Sequence, residues 1–301
     1  MKKYSSNYSE CIITSASNKF FPLLLNLLGS IEKNYPGHPD IYVYNLGLFL
    51  TFKKELEKIP WVHIMNIPHF VDHWRSCYTW KTYILNTPIT ELNFYLDAGC
   101  QILRPLDRLF EKISTQDYLA VSQGTEVNIS DITPDEYIER FKLTSSQLSS
   151  NVIAAGIFGF KRNSSISPIT EKIYAYGIEG LCLGFSKIDL WKSKGVNKTP
   201  ITRECKIFRH DTTLLSILLQ KEIPYLKIEP IELFSGKYED NPQQFIWNIR
   251  MNYKKLDFIN PKFLHKKPYG WYIHINRLFL FIFIIMKNIS NVIKSKIIIK
   301  T

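Results

Sequence analysis

The segment at residues 93–100, with the sequence NFYLDAGC, decides the fold prediction. Its apolar run ends in one carboxylate, Asp97. This pattern is typical of a buried strand that delivers a charge at the edge of a sheet, since an unpaired carboxylate inside the sheet would carry a large free-energy cost. The alternative is that Asp97 only caps the next turn, which Ala98 and Gly99 permit. The segment therefore predicts a strand over 93–96. It leaves open whether Asp97 is a charge delivered at the edge of the sheet or a cap of the next turn.

Strand-like and helix-like segments alternate before this strand. The strand candidates are residues 11–14, 41–46 and 61–67, and the helix candidates are residues 20–32, 50–58 and 77–86. Such alternation predicts an α/β fold with a mixed, mostly parallel central sheet flanked by helices. Ligands of such sheets bind at the carboxyl ends of the strands, and this rule places Asp97 at the predicted site.

The chain after Gly99 is predicted to be less regular. Strands are predicted at residues 117–121, 152–160 and 228–233, helices at residues 134–141, 171–184 and 211–220, and a Lys-rich loop at 186–203. Two of these segments carry candidate functional residues. Gly156 interrupts a strand and marks a bulge or a close backbone approach, while Asp211 begins a helix and is either an ordinary first-turn acid or a functional carboxylate.

The charge of the chain is concentrated at its C-terminal end. The 301 residues carry a net charge of +11, but residues 251–301 hold ten Lys and Arg against one acid, so that +9 lies there and +2 in the first 250. A nearly neutral body argues against a general nucleic-acid-binding face. The 45% hydrophobic content excludes a disordered chain. Five widely spaced cysteines and the lack of a secretory signal favour a reducing, cytoplasmic setting.

Residues 251–301 are predicted to form a helical, basic and apolar extension that is separate from a catalytic domain at residues 1–250. The longest apolar run, residues 278–286, is nine residues long, whereas a membrane-spanning helix needs about 20. From Ile285 onward, apolar residues share one helical face and Lys and Asn share the other. This pattern predicts peripheral association with an anionic membrane. The alternative is a helix packed on the domain with solvated lysines.

Five segments, taken together and in order, carry a resemblance to a known family. They are residues 11–17 (CIITSAS), 78–82 (YTWKT), 94–100 (FYLDAGC), 154–160 (AAGIFGF) and 209–215 (RHDTTLL). With them the chain resembles GT-A nucleotide-sugar glycosyltransferases, especially the family 8-like bacterial enzymes. The resemblance covers residues 11–220, roughly two-thirds of the chain, and implies a GT-A, Rossmann-like fold.

The resemblance implies roles for individual residues. Asp97 and Asp211 become the candidate catalytic residues, Asp97 toward the ribose or a metal and Asp211 toward the transferred sugar. The implied donor-binding residues are Thr14, Ser15, Ala16, Lys81, Asp97, Ala155, Gly156 and Lys267. Without the resemblance, Lys81 is more simply a solvated charge on a helix.

The resemblance also implies a divalent cation, Mn²⁺ or Mg²⁺, on the donor diphosphate. Asp97 matches the first carboxylate of the family's metal-binding motif, but Gly99 stands where the second would be. Residues 263–271 (FLHKKPYGW) resemble the closing motif at a different spacing, which implies His265 as a metal ligand and Lys267 as a diphosphate contact. Hard cations need several oxygen ligands, so the metal dependence stays open.

The predicted function is therefore that of a hexosyltransferase-type enzyme. It would move a sugar from a nucleoside-diphosphate donor to a glycan acceptor, which is expected to be lipid-linked. The process would be the synthesis of bacterial lipopolysaccharide or capsule, at the inner face of the membrane. One alternative is a non-catalytic protein that binds membranes or polyanions on a degenerate GT-A scaffold. A nucleotidyltransferase is disfavoured because no Gly-rich phosphate loop follows the first strand.

Overall fold

The computed structural model describes residues 9–124, 126–184, 205–235 and 241–248. Seven strands form one sheet in the order β3-β2-β1-β4-β7-β6-β8, and two short strands, β5 and β9, pair beside it. The strands are β1 (Glu10–Ala16), β2 (Ile41–Asn45), β3 (Val62–Asn66), β4 (Leu92–Leu96), β5 (Cys100–Ile102), β6 (Tyr118–Ser122), β7 (Ile153–Lys161), β8 (Ile228–Glu229) and β9 (Ile246–Asn248).

Nine α-helices are described alongside these strands. They are α1 (Phe21–Asn34), α2 (Leu50–Leu56), α3 (Thr79–Asn86), α4 (Asp107–Gln116), α5 (Ile129–Ile132), α6 (Asp135–Phe141), α7 (Ser145–Leu148), α8 (Ser167–Glu179) and α9 (Asp211–Glu222). Among the helices described, none combines the length and apolarity that crossing a bilayer requires.

The sheet is mixed and mostly parallel, as predicted. Strands β3, β2, β1 and β4 run parallel, β7 runs antiparallel between β4 and β6, and β6 and β8 are parallel. Both faces of the sheet are covered, because Ile12 of β1 belongs to one buried apolar cluster and its neighbour Ile13 belongs to another. Burial on both faces explains why the central strands are mostly apolar.

The antiparallel strand β7 determines what faces the end of β4. Leu96, the last residue of β4, pairs with Ile157. The Asp97 amide then donates a hydrogen bond to the Gly156 carbonyl oxygen at 2.8 Å. Asp97 therefore leaves the sheet directly opposite Gly156, at the carboxyl ends of β1 and β4.

The structure corrects three predicted boundaries. Helix α3 begins at Thr79 rather than at Cys77, because Cys77 and Tyr78 are left-handed, with φ of 50° and 62°. The helix predicted at 171–184 is α8, which ends at Glu179 because Gly180 has a φ of 100°, and a 3₁₀ turn follows. The strand predicted at 228–233 is only Ile228–Glu229, because Pro230 leads into another 3₁₀ turn.

Two predictions concern segments outside the described residues. The extension at 251–301, and with it the domain boundary at residue 250, stays a prediction. The loop predicted at 186–203 also lies outside the described ranges.

Candidate functional site

A cavity of about 840 Å³ lies at the carboxyl ends of β1 and β4. This volume is within the range of sites for small ligands and cofactors. Its wall brings together residues from all five segments that carry the family resemblance: Ser15, Lys81, Asp97, Ala155, Gly156 and Asp211.

Lys81 is the centre of this site. Its ammonium lies 3.0 Å from Asp97 Oδ1 and 3.1 Å from Asp211 Oδ2, and only 7% of its side chain is exposed. Burial lowers the pKa of Lys81, but the charges of Asp211 and Asp97 outweigh burial and hold that pKa well above its usual value. Lys81 is therefore a buried, charged residue that joins two carboxylates, and the interpretation of a solvated helix charge is wrong.

A strained turn places Lys81 at this point. Cys77 and Tyr78 both adopt left-handed backbone conformations immediately before α3, which costs non-glycine residues about 1–3 kcal/mol each. The Lys81 amide bonds to the Tyr78 carbonyl oxygen at 2.9 Å, and the Tyr78 ring centroid lies 5.3 Å from the ammonium. Such strain is concentrated at functional sites in proteins, and here it orients the helix that carries the buried cation.

Asp97 is held by its neighbours on the strands. The Tyr95 hydroxyl donates to Asp97 Oδ1 at 2.9 Å and lies 3.0 Å from the Ser15 hydroxyl. Burial is the main cause that raises the pKa of Tyr95 well above its usual value, so the phenol keeps its proton. Asp97 is less enclosed than Lys81, with 39% of its side chain exposed at the cavity wall.

Gly156 is a close-approach position, and it also lies in the part of β7 where the register with β6 shifts, between Ala120 and Ser122. A Cβ atom at this residue would lie 2.6 Å from Asp97 Oδ2. Any side chain here would therefore displace the carboxylate from its position beside Lys81.

We expect Gly156→Ala to weaken binding of the nucleotide-sugar donor that the family resemblance implies, while the protein stays folded. The added methyl group clashes with a carboxylate whose side chain is 39% exposed, so the expected change is a roughly tenfold rise in the Kd for the donor. Calorimetric titration measures this change. The matched control is Ala175→Ser, at an exposed position of α8 outside the cavity wall, and unchanged donor affinity of Gly156→Ala would contradict the role of Asp97 in binding.

Asp211 is the first residue of α9 and is almost fully buried. Burial raises its pKa above the usual value, and the neighbouring Lys81 opposes this shift. The contact of Oδ2 with Lys81 is an ion pair without hydrogen-bond geometry, and this oxygen has no hydrogen-bond partner among the residues described. Asp211 is thus more than an exposed first-turn acid, since it offers an acceptor in the cavity wall.

His210 fixes the start of α9. Its backbone is left-handed, with φ of 53°, and its Nδ1 donates to the Cys182 carbonyl oxygen at 2.8 Å. Burial lowers the pKa of His210 below its usual value, so the ring is neutral at pH 7. A strained residue therefore precedes Asp211, just as strained residues precede Lys81.

Further polar atoms of the cavity wall are buried without a hydrogen-bond partner in the described part of the chain. These atoms are Trp80 Nε1, Gln123 Oε1 and Arg209 Nε. Buried polar groups normally have partners. Two donors and one acceptor, together with the Asp211 carboxylate, fit a ligand that both donates and accepts hydrogen bonds.

The other predicted residues are placed as follows. Thr14 and Ala16 are fully buried in β1 and do not belong to the cavity wall, whereas Ser15 between them does. This difference follows from the alternation of side chains along a strand. His265 and Lys267 lie outside the described residues.

Several residues that line the cavity or contact Asp97 were not found from the sequence. Tyr95 could have been found, because it precedes Asp97 by two residues and so shares its face of the strand. Three cavity residues could not be found from hydrophobic periodicity, because only the folding of the chain brings them to the cavity: Arg75, Gln123 and Arg209.

The described residues do not fit the divalent cation that the resemblance implies. Tyr95 and Lys81 both contact Asp97 Oδ1, and Gly99 supplies no side chain. Within the described ranges, no group of three or more His, Cys, Asp and Glu side chains could hold a metal ion. A divalent ion beside Asp97 would also face the positive charge of Lys81 at short range.

Comparisons with known proteins found similar solved structures only. No protein-family model matches the chain, and neither does any curated protein. The bifunctional glycosyltransferase WbbM is 13% identical, with a TM-score of 0.47, over 77% of this chain and 40% of WbbM.

Two further structures are similar at the same level. An active-site mutant of LgtC is 11% identical, with a TM-score of 0.46, over 83% of each chain. GlyE of Streptococcus pneumoniae is 10% identical, with a TM-score of 0.45, over 82% of this chain and 55% of GlyE. All three are glycosyltransferases, but at these TM-scores the likeness assigns neither activity nor residue roles.

Proposed function

We propose that this protein is a nucleotide-sugar-dependent glycosyltransferase of GT-A type, which moves a sugar from a nucleoside-diphosphate donor to a glycan acceptor. The observation that carries the proposal is the buried ion-pair cluster of Asp97, Lys81 and Asp211 in the wall of an 840 Å³ cavity at the strand ends. Three separate segments supply these charges, and two of them reach the site through strained backbone. A purely structural ion pair would not need such positioning.

The polar lining suits a sugar. Asp211 accepts hydrogen bonds from sugar hydroxyls, and its buried position makes such bonds strong because the local dielectric is low. The Trp80 indole and the Gln123 amide add a donor and an acceptor on the same wall. These groups hold the sugar in one orientation toward the acceptor, and positioning of this kind contributes a large part of the rate in group-transfer reactions.

Two arginines suit the diphosphate. Arg75 and Arg209 line the same cavity, and guanidinium groups bind phosphate oxygens through two parallel hydrogen bonds. As the bond from the sugar to the diphosphate breaks, negative charge grows on the departing oxygen. Guanidinium groups of the cavity wall would stabilise that charge.

We expect Arg209→Gln to raise the KM for the donor about tenfold with a smaller effect on kcat, since a hydrogen bond to a charged group contributes about 1.5–3 kcal/mol. Steady-state kinetics with the best donor measures the change. The control is Arg140→Gln, because Arg140 is an exposed residue paired with Glu179 and lies outside the cavity wall. Equal KM values for Arg209→Gln and the wild type would show that Arg209 does not bind the donor.

The acceptor is proposed to be lipid-linked, as in lipopolysaccharide or capsule synthesis, with the enzyme bound peripherally to the inner face of the membrane. Support for this comes from the sequence of residues 251–301, which combines a charge of +9 with a nine-residue apolar run. We expect truncation after Tyr269 to abolish flotation with vesicles that contain anionic lipid. Full-length protein on neutral vesicles is the control, and unchanged flotation of the truncated protein would contradict this part of the proposal.

Release of nucleoside diphosphate from a panel of UDP-, GDP- and dTDP-sugars tests the activity. The expected result is acceptor-stimulated release from one donor class. If the folded protein binds a donor but releases nothing with any donor and acceptor extract, the non-catalytic alternative is correct. If no donor binds, the proposal of a nucleotide-sugar site is wrong.

A further inference from the structure

The ammonium of Lys81 occupies a position between two carboxylates that belong to different elements. Asp97 follows β4 and Asp211 begins α9, and the Lys81 Nζ atom lies 3.0 Å from one and 3.1 Å from the other. Two converging carboxylates at a ligand cavity are a common way to bind a metal ion. In this chain, a side chain of the protein itself stands between them.

The ammonium is held on several sides. It forms ion pairs with Asp97 and Asp211, and it donates a hydrogen bond to the Ala155 carbonyl oxygen at 3.3 Å. The rings of Tyr78 and Tyr95 flank it, each with its centroid 5.3 Å from Nζ. Only 7% of the side chain is exposed, so water does not compete for these contacts.

Asp97 is also committed to this arrangement. Asp97 Oδ1 accepts the Tyr95 hydroxyl in addition to its contact with Lys81, and Asp97 Oδ2 lies against the bare backbone of Gly156. A divalent ion would have to displace the ammonium from both carboxylates and leave that positive charge buried beside it.

We infer that Lys81 is the resident cation of this site, so that Asp97 and Asp211 do not bind a divalent ion and transfer proceeds without one. The second half of the inference rests on the proposed glycosyltransferase function, whereas the first half does not. In a site of this kind the negative charge of the diphosphate is met by side chains. Arg75 and Arg209 line the same cavity and are the candidates for this role.

Titration of Mn²⁺ followed by electron paramagnetic resonance tests the first half on the full chain. The wild type and Asp97→Asn are expected to bind Mn²⁺ equally, because no Mn²⁺ binds at Asp97 in the wild type. Lys81→Ser vacates the position between the two carboxylates and is expected to bind Mn²⁺ at least about tenfold more tightly than the wild type. The double variant Lys81→Ser/Asp97→Asn is expected to lose that gain.

Two results of this titration would overturn the inference. One is Mn²⁺ binding by the wild type that Asp97→Asn weakens. The other is a folded Lys81→Ser variant, verified by circular dichroism, that binds Mn²⁺ no better than the wild type. If Lys81→Ser does not fold, the comparison of the wild type with Asp97→Asn decides alone.

Turnover in EDTA and in Mn²⁺ tests the second half. The expected rates agree within about twofold, because no step needs an added ion. Loss of turnover in EDTA with recovery in Mn²⁺ would overturn the inference while the proposed function stands. Lack of turnover with every donor would overturn the proposed function, while the Mn²⁺ titration still decides whether Lys81 is the resident cation.

Discussion

Lys81→Met is expected to lower the free energy of unfolding by about 3–5 kcal/mol, because removal of one partner leaves buried charge uncompensated. The methionine fills much of the same volume, so the loss is mainly electrostatic. The variant is also expected to be inactive, since the Asp97–Lys81–Asp211 cluster no longer exists. Urea denaturation monitored by circular dichroism measures the loss of stability.

The pH dependence of this loss has a definite sign. Burial already raises the pKa of Asp211 above its usual 3.8, and Lys81 opposes that shift. Without Lys81 the folded protein holds a proton on Asp211 to a still higher pH than the unfolded chain does, so stability rises as pH falls through that window. The difference between variant and wild type is therefore expected to be smaller at about pH 5 than at about pH 8.

Lys172→Met is the matched control for Lys81→Met. Lys172 forms an ion pair with Glu222 at 2.7 Å, but nearly half of its side chain is exposed. Exposed pairs contribute about 0–1 kcal/mol, so this variant is expected to be nearly as stable as the wild type. Equal destabilisation by the two substitutions would show that the Lys81 cluster has no special electrostatic role.

Asp211→Asn is expected to reduce kcat by about 10²–10³, the range measured when one preorganised polar contact to a reacting group is removed. The amide keeps the size of the side chain and removes a buried negative charge, so little change in stability is expected. Lys81 retains Asp97 as a partner at 3.0 Å. Initial rates at saturating donor, together with the melting temperature, separate the loss of activity from any loss of fold.

Asp135→Asn is the matched control for this variant. Asp135 is also the first residue of a helix, α6, but it is exposed. Its loss removes only the favourable interaction with the helix dipole, about 0.3–1 kcal/mol. A kcat for Asp211→Asn close to that of Asp135→Asn would show that Asp211 acts as an ordinary first-turn acid.

The sheet could be predicted from the sequence because its central strands are buried on both faces. Residues 11–14, 41–46 and 93–96 are mostly apolar, with one polar residue in each run (Thr14, Asn45 and Asn93), and they correspond to β1, β2 and β4. The small sheet of β5 and β9 could not be predicted. Its strands are three residues long and pair across more than 140 positions, which is too short and too distant for a periodic signal.

The site could be predicted only in part, because the roles of its charged residues depend on contacts made by the folded chain. Asp97 and Asp211 stand out because each is a charge next to an apolar run, but the sequence alone does not distinguish a functional carboxylate from a cap. Lys81 looks like a surface residue of a helix in the sequence. Its burial follows a turn in which Cys77 and Tyr78 are left-handed. A left-handed turn is usually predicted from a glycine, and neither residue is one. Arg209 and Gln123 reach the cavity only through the folded arrangement of loops.

Sugar transfer at the Lys81 cluster is tested most directly by one measurement. Wild-type protein, Asp211→Asn and Asp135→Asn are each incubated with an isotope-labelled nucleotide sugar and a glycan acceptor, and the labelled product is quantified by mass spectrometry. We expect labelled product with the wild type and Asp135→Asn, and a loss of about 10²–10³ in rate with Asp211→Asn. Equal product from all three proteins, or none from any of them, would contradict the proposed role of the cluster.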